Sequence, residues 1–175
     1  LIERGYNLEP GVEEEIAALA QEFPQSPVSG LLETGFLYWR QNYAEWDEAL
    51  KERFEKRSEA ALKVAEAYRK ANKDDPDARF AEAMIELSQV IYYVDHGKWW
   101  AAFWKSRGSL KAMKGLVDED PDYHDAKLAL GMANCYLSKT PGYLKPLAFL
   151  MRFKGDWDKG IVYMREAKAG GLICK

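Results

Sequence analysis

Apolar side chains recur at three- and four-residue steps through most of this chain, which is the spacing of amphipathic α-helices. Between residues 46 and 72, one such stripe is formed by Leu50, Phe54, Ala61, Val64, Ala65 and Tyr68. Period-two alternation of branched residues never persists beyond a few positions, so β-strands are not predicted. The pattern therefore predicts an all-α protein.

The stripes and their interruptions predict the positions of the helices. The predicted ranges are Gly11 to Phe23, Pro27 to Tyr43, Trp46 to Asn72, Asp77 to Asp95, Lys98 to Asp120, His124 to Lys139, a short helix near Leu144 to Phe153, and Asp156 to Gly170. Short connectors containing proline separate most of them. We expect three antiparallel pairs, formed by the second helix with the third, the fourth with the fifth, and the sixth with the last. An insert, Thr140 to Gly155, separates the helices of the last pair.

Two Asp-Pro-Asp tripeptides, 75–77 and 120–122, stand at equivalent places, each after one helix and before the next. After the second tripeptide, Leu130-Gly131 falls where the first helix of a tetratricopeptide repeat has its Leu-Gly pair. Gly35 and Tyr38 keep the three-residue offset of the Gly and Tyr in that pattern. The chain therefore resembles a tetratricopeptide repeat protein over nearly its whole length.

The chain also departs from that pattern. Pro24 and Pro76 are 52 residues apart, and Pro76 and Pro121 are 45 apart, whereas the signature period is about 34 residues. The position of the signature Trp is filled by Leu31, Glu82 and Lys127. A generic helical solenoid is the alternative.

The resemblance implies a right-handed stack of antiparallel helix hairpins, an α-solenoid. Residues 1–175 would form one repeat domain of about three pairs with an N-terminal half repeat, expected to be a fragment of a longer protein. More narrowly, the chain is similar to divergent bacterial repeat proteins that are usually exported. The segments carrying this likeness are Tyr6-Asn-Leu8, Pro24-x-x-Pro27, Leu110 to Asp125, Leu144-Lys-Pro-Leu147 and Gly155-Asp-Trp-Asp-Lys-Gly160. Export or envelope association is therefore expected, with a cytoplasmic location as the alternative.

The resemblance also implies where a partner binds, because the first helix of each repeat lines the concave face. The predicted partner-binding wall comprises Leu32, Phe36, Trp39, Arg40, Leu87, Leu128, Met132 and Tyr136, joined by Ala83 and Val90. Since most of these side chains are apolar, the predicted function is that of a scaffold that binds a peptide or partner protein by burying apolar groups. The competing interpretation is that the chain's own insert or flanking helices cover these residues.

Composition narrows the classes of function. With 47% apolar residues and a net charge of -3, disorder is not expected, nor is a nucleic-acid binder driven by overall positive charge. No apolar run reaches the roughly 18 to 20 residues of a transmembrane helix.

Charge is distributed unevenly along the chain. Residues 96–117 and 139–155 contain Lys and Arg but no acid, with aromatics interleaved. The alternative function is therefore a peripheral membrane or envelope-surface protein that uses Leu144 to Lys154 as a basic interfacial helix. The aromatic cluster Trp99, Trp100, Phe103 and Trp104 is expected to fill an interior layer, with stacking on nucleic acid or contact with anionic lipid as the alternative.

Enzyme chemistry finds little support in the residue types. His96 and His124 are the two histidines, and neither lies in a motif with a nucleophile or an orienting carboxylate, so both are expected to be exposed turn and cap residues. Neither they nor Cys135 and Cys174 have metal-ligand spacing, so no metal or cofactor is predicted. Cys135 is expected to be a packed thiol. The single glycines Gly108, Gly115, Gly131 and Gly160 are expected to permit close helix packing.

Overall fold

The computed structural model describes residues 1–43, 47–139 and 155–172, and every regular element in these ranges is an α-helix. The helices are α1 (Ile2–Tyr6), α2 (Val12–Glu22), α3 (Val28–Tyr43), α4 (Glu48–Ala71), α5 (Pro76–Asp95), α6 (Trp99–Glu119), α7 (His124–Ser138) and α8 (Trp157–Gly170). The predicted all-α class is confirmed. The helix predicted near Leu144 to Phe153 and all but the last residue of the insert lie outside the described residues.

Aspartates fix where several helices begin. The side chains of Asp47, Asp75 and Asp156 each accept a hydrogen bond from a backbone N–H in the first turn of α4, α5 and α8. Such caps satisfy donors that have no partner within the helix, at about 1 kcal/mol each. The predicted boundaries of α2 to α8 agree with the structure to within two residues. Only α1 was not predicted, because five residues are too few to display a period.

The two Asp-Pro-Asp tripeptides form the same local turn. Asp75 Oδ1 accepts from the Asp77 N–H at 2.9 Å, and Asp120 Oδ1 accepts from the Asp122 N–H at 2.9 Å. However, α5 begins at Pro76 itself, whereas α7 begins only at His124. The repeated sequence is therefore a repeated turn, followed by helices that start at different offsets.

The chain divides into two compact units, residues 1–98 and 99–175. In the first unit α3, α4 and α5 pack on one another. Leu37 shares a buried cluster with Phe54 near the start of α4, whereas Gly30 lies against Ala61 further along, so α3 and α4 are antiparallel. The α4–α5 hairpin is antiparallel as well, with Ile85 packed against Ala61 and Ala65.

In the second unit α7 and α8 approach each other very closely. A Cβ added to Gly160 would lie 2.5 Å from Cys135 Sγ, and one added to Gly131 would lie 2.8 Å from the Gly160 oxygen. Lys127, early on α7, pairs with Glu166, late on α8, at 2.6 Å, whereas Cys135, later on α7, lies against Gly160, early on α8, so the two helices are antiparallel. Close packing is thus confirmed for Gly131 and Gly160. For Gly108, which is exposed on α6, and for Gly115 it stays a prediction.

Two of the three predicted pairs, α3 with α4 and α7 with α8, are present in the structure. The boundary between the units falls between Lys98 and Trp99, which separates the two members of the third predicted pair, α5 and α6. That pair and the single repeat domain over residues 1–175 stay predictions.

Candidate functional site

The predicted wall residues of α3 lie under the N-terminal segment of the same chain. The Trp39 indole N–H donates to the Tyr6 carbonyl at 2.9 Å, and the Tyr6 ring meets the Trp39 ring edge-on with centroids 5.2 Å apart. On its other side Trp39 contacts Tyr43, at a centroid distance of 5.5 Å. A Cβ added to Gly5 would lie 3.7 Å from Phe36 Cδ2. Thus α1 covers the part of α3 that carries Phe36 and Trp39.

Charged contacts hold the beginning of α2 next to this surface. Glu13 accepts from Arg40 and also from Arg53, the latter at 2.7 Å. Arg4 pairs with Glu9 at 2.9 Å and with Glu15, and these hydrogen bonds raise the pKa of Arg4, with the Glu15 bond contributing most. Acidic side chains in the first turn of a helix also interact favourably with its dipole. Arg40 is therefore engaged by the chain itself.

The remaining predicted wall residues are distributed over both units. Leu32 and Leu87 are half-buried in the first unit, whereas Leu128 and Met132 are half-buried and Tyr136 is 70% exposed in the second. The structure therefore places Phe36 and Trp39, both half-buried, against α1, whereas the exposed Arg40 pairs with Glu13 of α2. Covering of the wall by the chain's own insert or flanking helices stays a prediction.

Sequence reasoning missed a polar cleft in the first unit. It has a volume of about 520 Å³ and is lined by Glu48, Ala49, Lys51, Glu52, Glu55, Tyr92, His96 and Lys98. At its centre Glu55 accepts hydrogen bonds from Lys98 at 2.9 Å and from the Tyr92 hydroxyl at 3.0 Å. His96 Nδ1 lies 2.7 Å from the Tyr92 carbonyl oxygen, with the two rings 4.1 Å apart.

The electrostatics of this cleft favour a structural role for Glu55, Tyr92 and Lys98, which together form a clamp between α4 and the end of α5. The hydrogen bond from Lys98, followed by that from Tyr92, lowers the pKa of Glu55 despite partial burial. Burial, followed by the hydrogen bond to Glu55, raises the pKa of Tyr92. At neutral pH Glu55 is therefore an ionised acceptor and Tyr92 a protonated donor, whereas an effective general base needs a pKa near the working pH. The arrangement joins α4 to the end of α5.

The histidines stand at helix ends as predicted, with His96 as the C-cap of α5 and His124 as the first residue of α7, but the expectation that they are exposed is wrong. His96 is half-buried because its ring packs on Tyr92, and His124 is half-buried with its Nδ1 away from solvent. The four-residue spacing of Tyr92 and His96 could have indicated from the sequence that their rings are in contact, because residues four apart are neighbours on a helix. Glu55 comes from a separate helix, and no local pattern indicates its contact with them.

A second surface lies on α6. Trp99, Trp100 and Trp104 are 47%, 60% and 53% exposed, whereas Phe103 is buried. Trp100 stacks on Phe103 at 5.6 Å, and the Arg107 guanidinium lies 5.5 Å from the Trp104 ring centroid. Filling of an interior layer is therefore confirmed for Phe103 and wrong for the three tryptophans. The side of α6 opposite its buried stripe carries Trp100 and Trp104.

The remaining candidate features are metal ligands, cysteines and membrane-spanning helices. The described residues contain no group of three or more His, Cys, Asp or Glu side chains arranged to hold a metal ion. Cys135 is a buried free thiol, as expected, and Cys174 lies outside the described residues. Among the helices described, none is long and apolar enough to cross a membrane. Comparison of the chain with protein-family models, curated proteins and solved structures finds no match.

Proposed function

We propose that this chain is a tetratricopeptide-like helical-repeat scaffold whose function is to bind a peptide or partner protein, with its hairpins arranged as a right-handed stack. Support for the repeat architecture comes from the antiparallel hairpins α3/α4 and α7/α8 and from the identical turns at Asp75 and Asp120. Helix hairpins of this kind leave one helix face available for ligands.

One observation carries the binding function: two predicted wall residues of α3, Phe36 and Trp39, already contact a short helical segment, α1. In this segment, the Tyr6 carbonyl accepts a hydrogen bond from the Trp39 indole N–H, and the Tyr6 ring packs edge-on against the Trp39 ring. Yet α1 has only five residues, and none of them is buried. A helix this short has little stability of its own, so an external segment with the same groups can replace it.

The binding surface defines the chemistry of its ligand. Trp39 and Phe36 offer apolar area and one indole donor, whereas Arg40 beside them is paired with Glu13. The proposed ligand is therefore a short helical or turn segment with an aromatic side chain and an open backbone carbonyl. Such anchors commonly dominate the binding energy of peptide recognition.

The direct test supplies the N-terminal segment in trans. A chain shortened to begin at Pro10 is titrated with a fluorescently labelled peptide of residues 1–9, and binding is followed by fluorescence anisotropy. We expect saturable binding that Trp39→Ala weakens by about tenfold, because an aromatic pair and a hydrogen bond are lost. Trp157→Ala, which removes a partly exposed indole from α8, is the matched control. Absence of saturable binding by a chain with native helicity contradicts the proposal.

We propose that binding, rather than catalysis, is the chain's role. In the polar cleft, the Glu55 carboxylate is the group most suited to acid–base chemistry. Lys98 and the Tyr92 hydroxyl both donate hydrogen bonds to it, and this supports a structural role for Glu55. The alternative role at a membrane surface rested on Leu144 to Lys154, which lies outside the described residues. A different element, α6, supplies the observation that bears on membranes.

A further inference from the structure

The exposed side of α6 carries a continuous ridge of aromatic and basic residues. Trp100, Trp104, Arg107 and Lys111 follow one another at steps of four, three and four residues, and all four are exposed. This spacing places them along one face of the helix over about 16 Å. We call these four residues the α6 ridge.

Each tryptophan of this helix carries one polar group, the indole N–H, which can donate a hydrogen bond. Within the described chain, the indole N–H groups of Trp99, Trp100 and Trp104 donate to no other residue, whereas that of Trp39 donates to the Tyr6 carbonyl. An exposed apolar patch marks an interaction surface. Tryptophan in particular suits a boundary at which its ring is in an apolar medium and its N–H meets polar groups.

The stretch of sequence that carries the ridge contains only basic charged residues. Residues 96–117 hold five Lys or Arg and no acid. Lys98 is paired with Glu55 and Lys114 with Asp118. Lys105, Arg107 and Lys111 form no ion pair with any described residue. Three cations thus remain available beside the tryptophans.

The second unit as a whole is basic. Residues 99–175 contain 13 Lys or Arg and 8 Asp or Glu, a net charge of +5, whereas residues 1–98 contain 12 and 20, a net charge of -8. The sequence of the second unit includes another acid-free basic stretch with aromatics, residues 139–155. Stable membrane anchoring commonly needs two signals, such as two basic segments or one combined with a lipid chain.

From these observations we propose that the α6 ridge docks on an anionic lipid surface, with Trp100 and Trp104 at the headgroup boundary and Arg107 and Lys111 on lipid phosphates. A membrane is favoured over a protein partner because the ridge is basic without any carboxylate, whereas protein surfaces usually intersperse both signs. Each basic residue near an anionic membrane lowers the binding free energy enough to strengthen partitioning by about fivefold.

The test measures partitioning of the full chain onto sedimented vesicles. One set of vesicles is phosphatidylcholine alone, and the other contains about 30% phosphatidylglycerol, an anionic content chosen to give a negative surface potential. We expect binding to the anionic vesicles only, with loss of binding at about 1 M salt, where the Debye length falls to about 3 Å. Brominated phosphatidylcholine mixed into the anionic vesicles should quench the tryptophan fluorescence of the bound chain.

Charge-reversal and tryptophan variants test whether the α6 ridge is the part of the chain that contacts the vesicles. Arg107→Glu with Lys111→Glu should lower the partition coefficient by about 30-fold or more, and Trp100→Ala with Trp104→Ala should remove most of the quenching. Lys159→Glu with Lys168→Glu makes the same charge change at exposed positions of α8 in the same unit and should lower it less than about threefold. Circular dichroism checks that each variant is folded. If the tryptophan variant loses helicity, the two charge-reversal pairs still decide the question.

Three outcomes would overturn the proposal. The first is no binding to anionic vesicles. The second is an equal loss of binding in both charge-reversal pairs, which would indicate attraction to net charge rather than a defined face. The third is binding to soluble polyglutamate or to a single-stranded oligonucleotide but not to vesicles, which would identify an acidic macromolecule as the ligand.

Discussion

At the scale of single residues, Gly160 sets the distance between α7 and α8. An added Cβ would lie 2.5 Å from Cys135 Sγ and 2.8 Å from the Gly131 oxygen, and the latter, being backbone, cannot rotate away. Gly160→Ala must therefore separate the helices, and we expect it to lower the free energy of unfolding by about 1–3 kcal/mol. Denaturant titration followed by circular dichroism measures this change.

Gly35 provides the control for that substitution. It lies inside α3, and a Cβ added there meets no described atom within 4 Å. Gly35→Ala should therefore raise stability by up to about 1 kcal/mol, the difference in helix propensity between the two residues. Opposite signs for the two substitutions are the expected result. Destabilisation of similar size by both would show that close approach is not what Gly160 provides.

Gln41 carries an unsatisfied polar group in the first unit. Its side chain is 1% exposed, and neither Oε1 nor Nε2 has a hydrogen-bond partner among the described residues. Gln41→Leu removes both atoms at similar volume and should stabilise the chain by about 1–2 kcal/mol. Thr34→Val, about two turns earlier on the buried side of α3, should give no such gain, because Thr34 Oγ1 already donates to the Gly30 carbonyl. A lower melting temperature for Gln41→Leu would contradict this account.

At the scale of helices, the clamp formed by Glu55, Tyr92 and Lys98 makes stability depend on pH. The pKa of Glu55 is lowered on folding, so its contribution is present above its usual value of 4.5 and is lost as the pH falls below it. The pKa of Tyr92 is raised, so its contribution is lost as the pH rises above about 10. Thermal unfolding between these limits and beyond them should show both declines.

Substitution assigns the acid decline to one residue. Glu55→Gln should flatten the fall in melting temperature between about pH 5 and pH 3, since the carboxylate that titrates is gone. Glu59→Gln removes an exposed acid one turn further along α4 and serves as the control. If the two variants show the same acid slope as the parent chain, Glu55 does not carry the dependence.

Periodicity predicted the positions of the helices well, but it predicted less consistently which of their side chains are buried. The apolar stripe of α4 is long and the opposite side of the helix is charged, so Leu50, Phe54 and Ala61 could be assigned to the core from the sequence. On α6, aromatics stand on both sides of the helix, and periodicity does not distinguish the buried Phe103 from the exposed Trp104. The contact between Trp39 and Tyr6 spans 33 residues and depends on a helix too short to predict. Local patterns therefore predicted the elements, and long-range contacts determined the site.

At the scale of the whole molecule, the chain can unfold either as one cooperative repeat stack or as two units that lose structure separately. Repeat proteins are stabilised largely by interfaces between neighbouring repeats, so a local defect weakens the adjacent repeats as well. Here each unit has its own packed centre, with Leu37 and Phe54 clustered in the first and Gly131 against Gly160 in the second. We therefore expect the two units to lose structure independently.

Hydrogen exchange on Gly160→Ala, read by mass spectrometry, tests this expectation. The close α7–α8 contact is disrupted in that variant, so amides in residues 99–175 should exchange faster, by about tenfold for a local loss of about 1.4 kcal/mol. Amides of α3, α4 and α5 should exchange at the rates of the parent chain, because the cluster of Leu37 and Phe54 is untouched. Gly35→Ala, made in the first unit, should have the reverse distribution, with slower exchange confined to residues 1–98. Faster exchange that spreads from α7 into α5 and α4 would instead support one continuous repeat domain over residues 1–175.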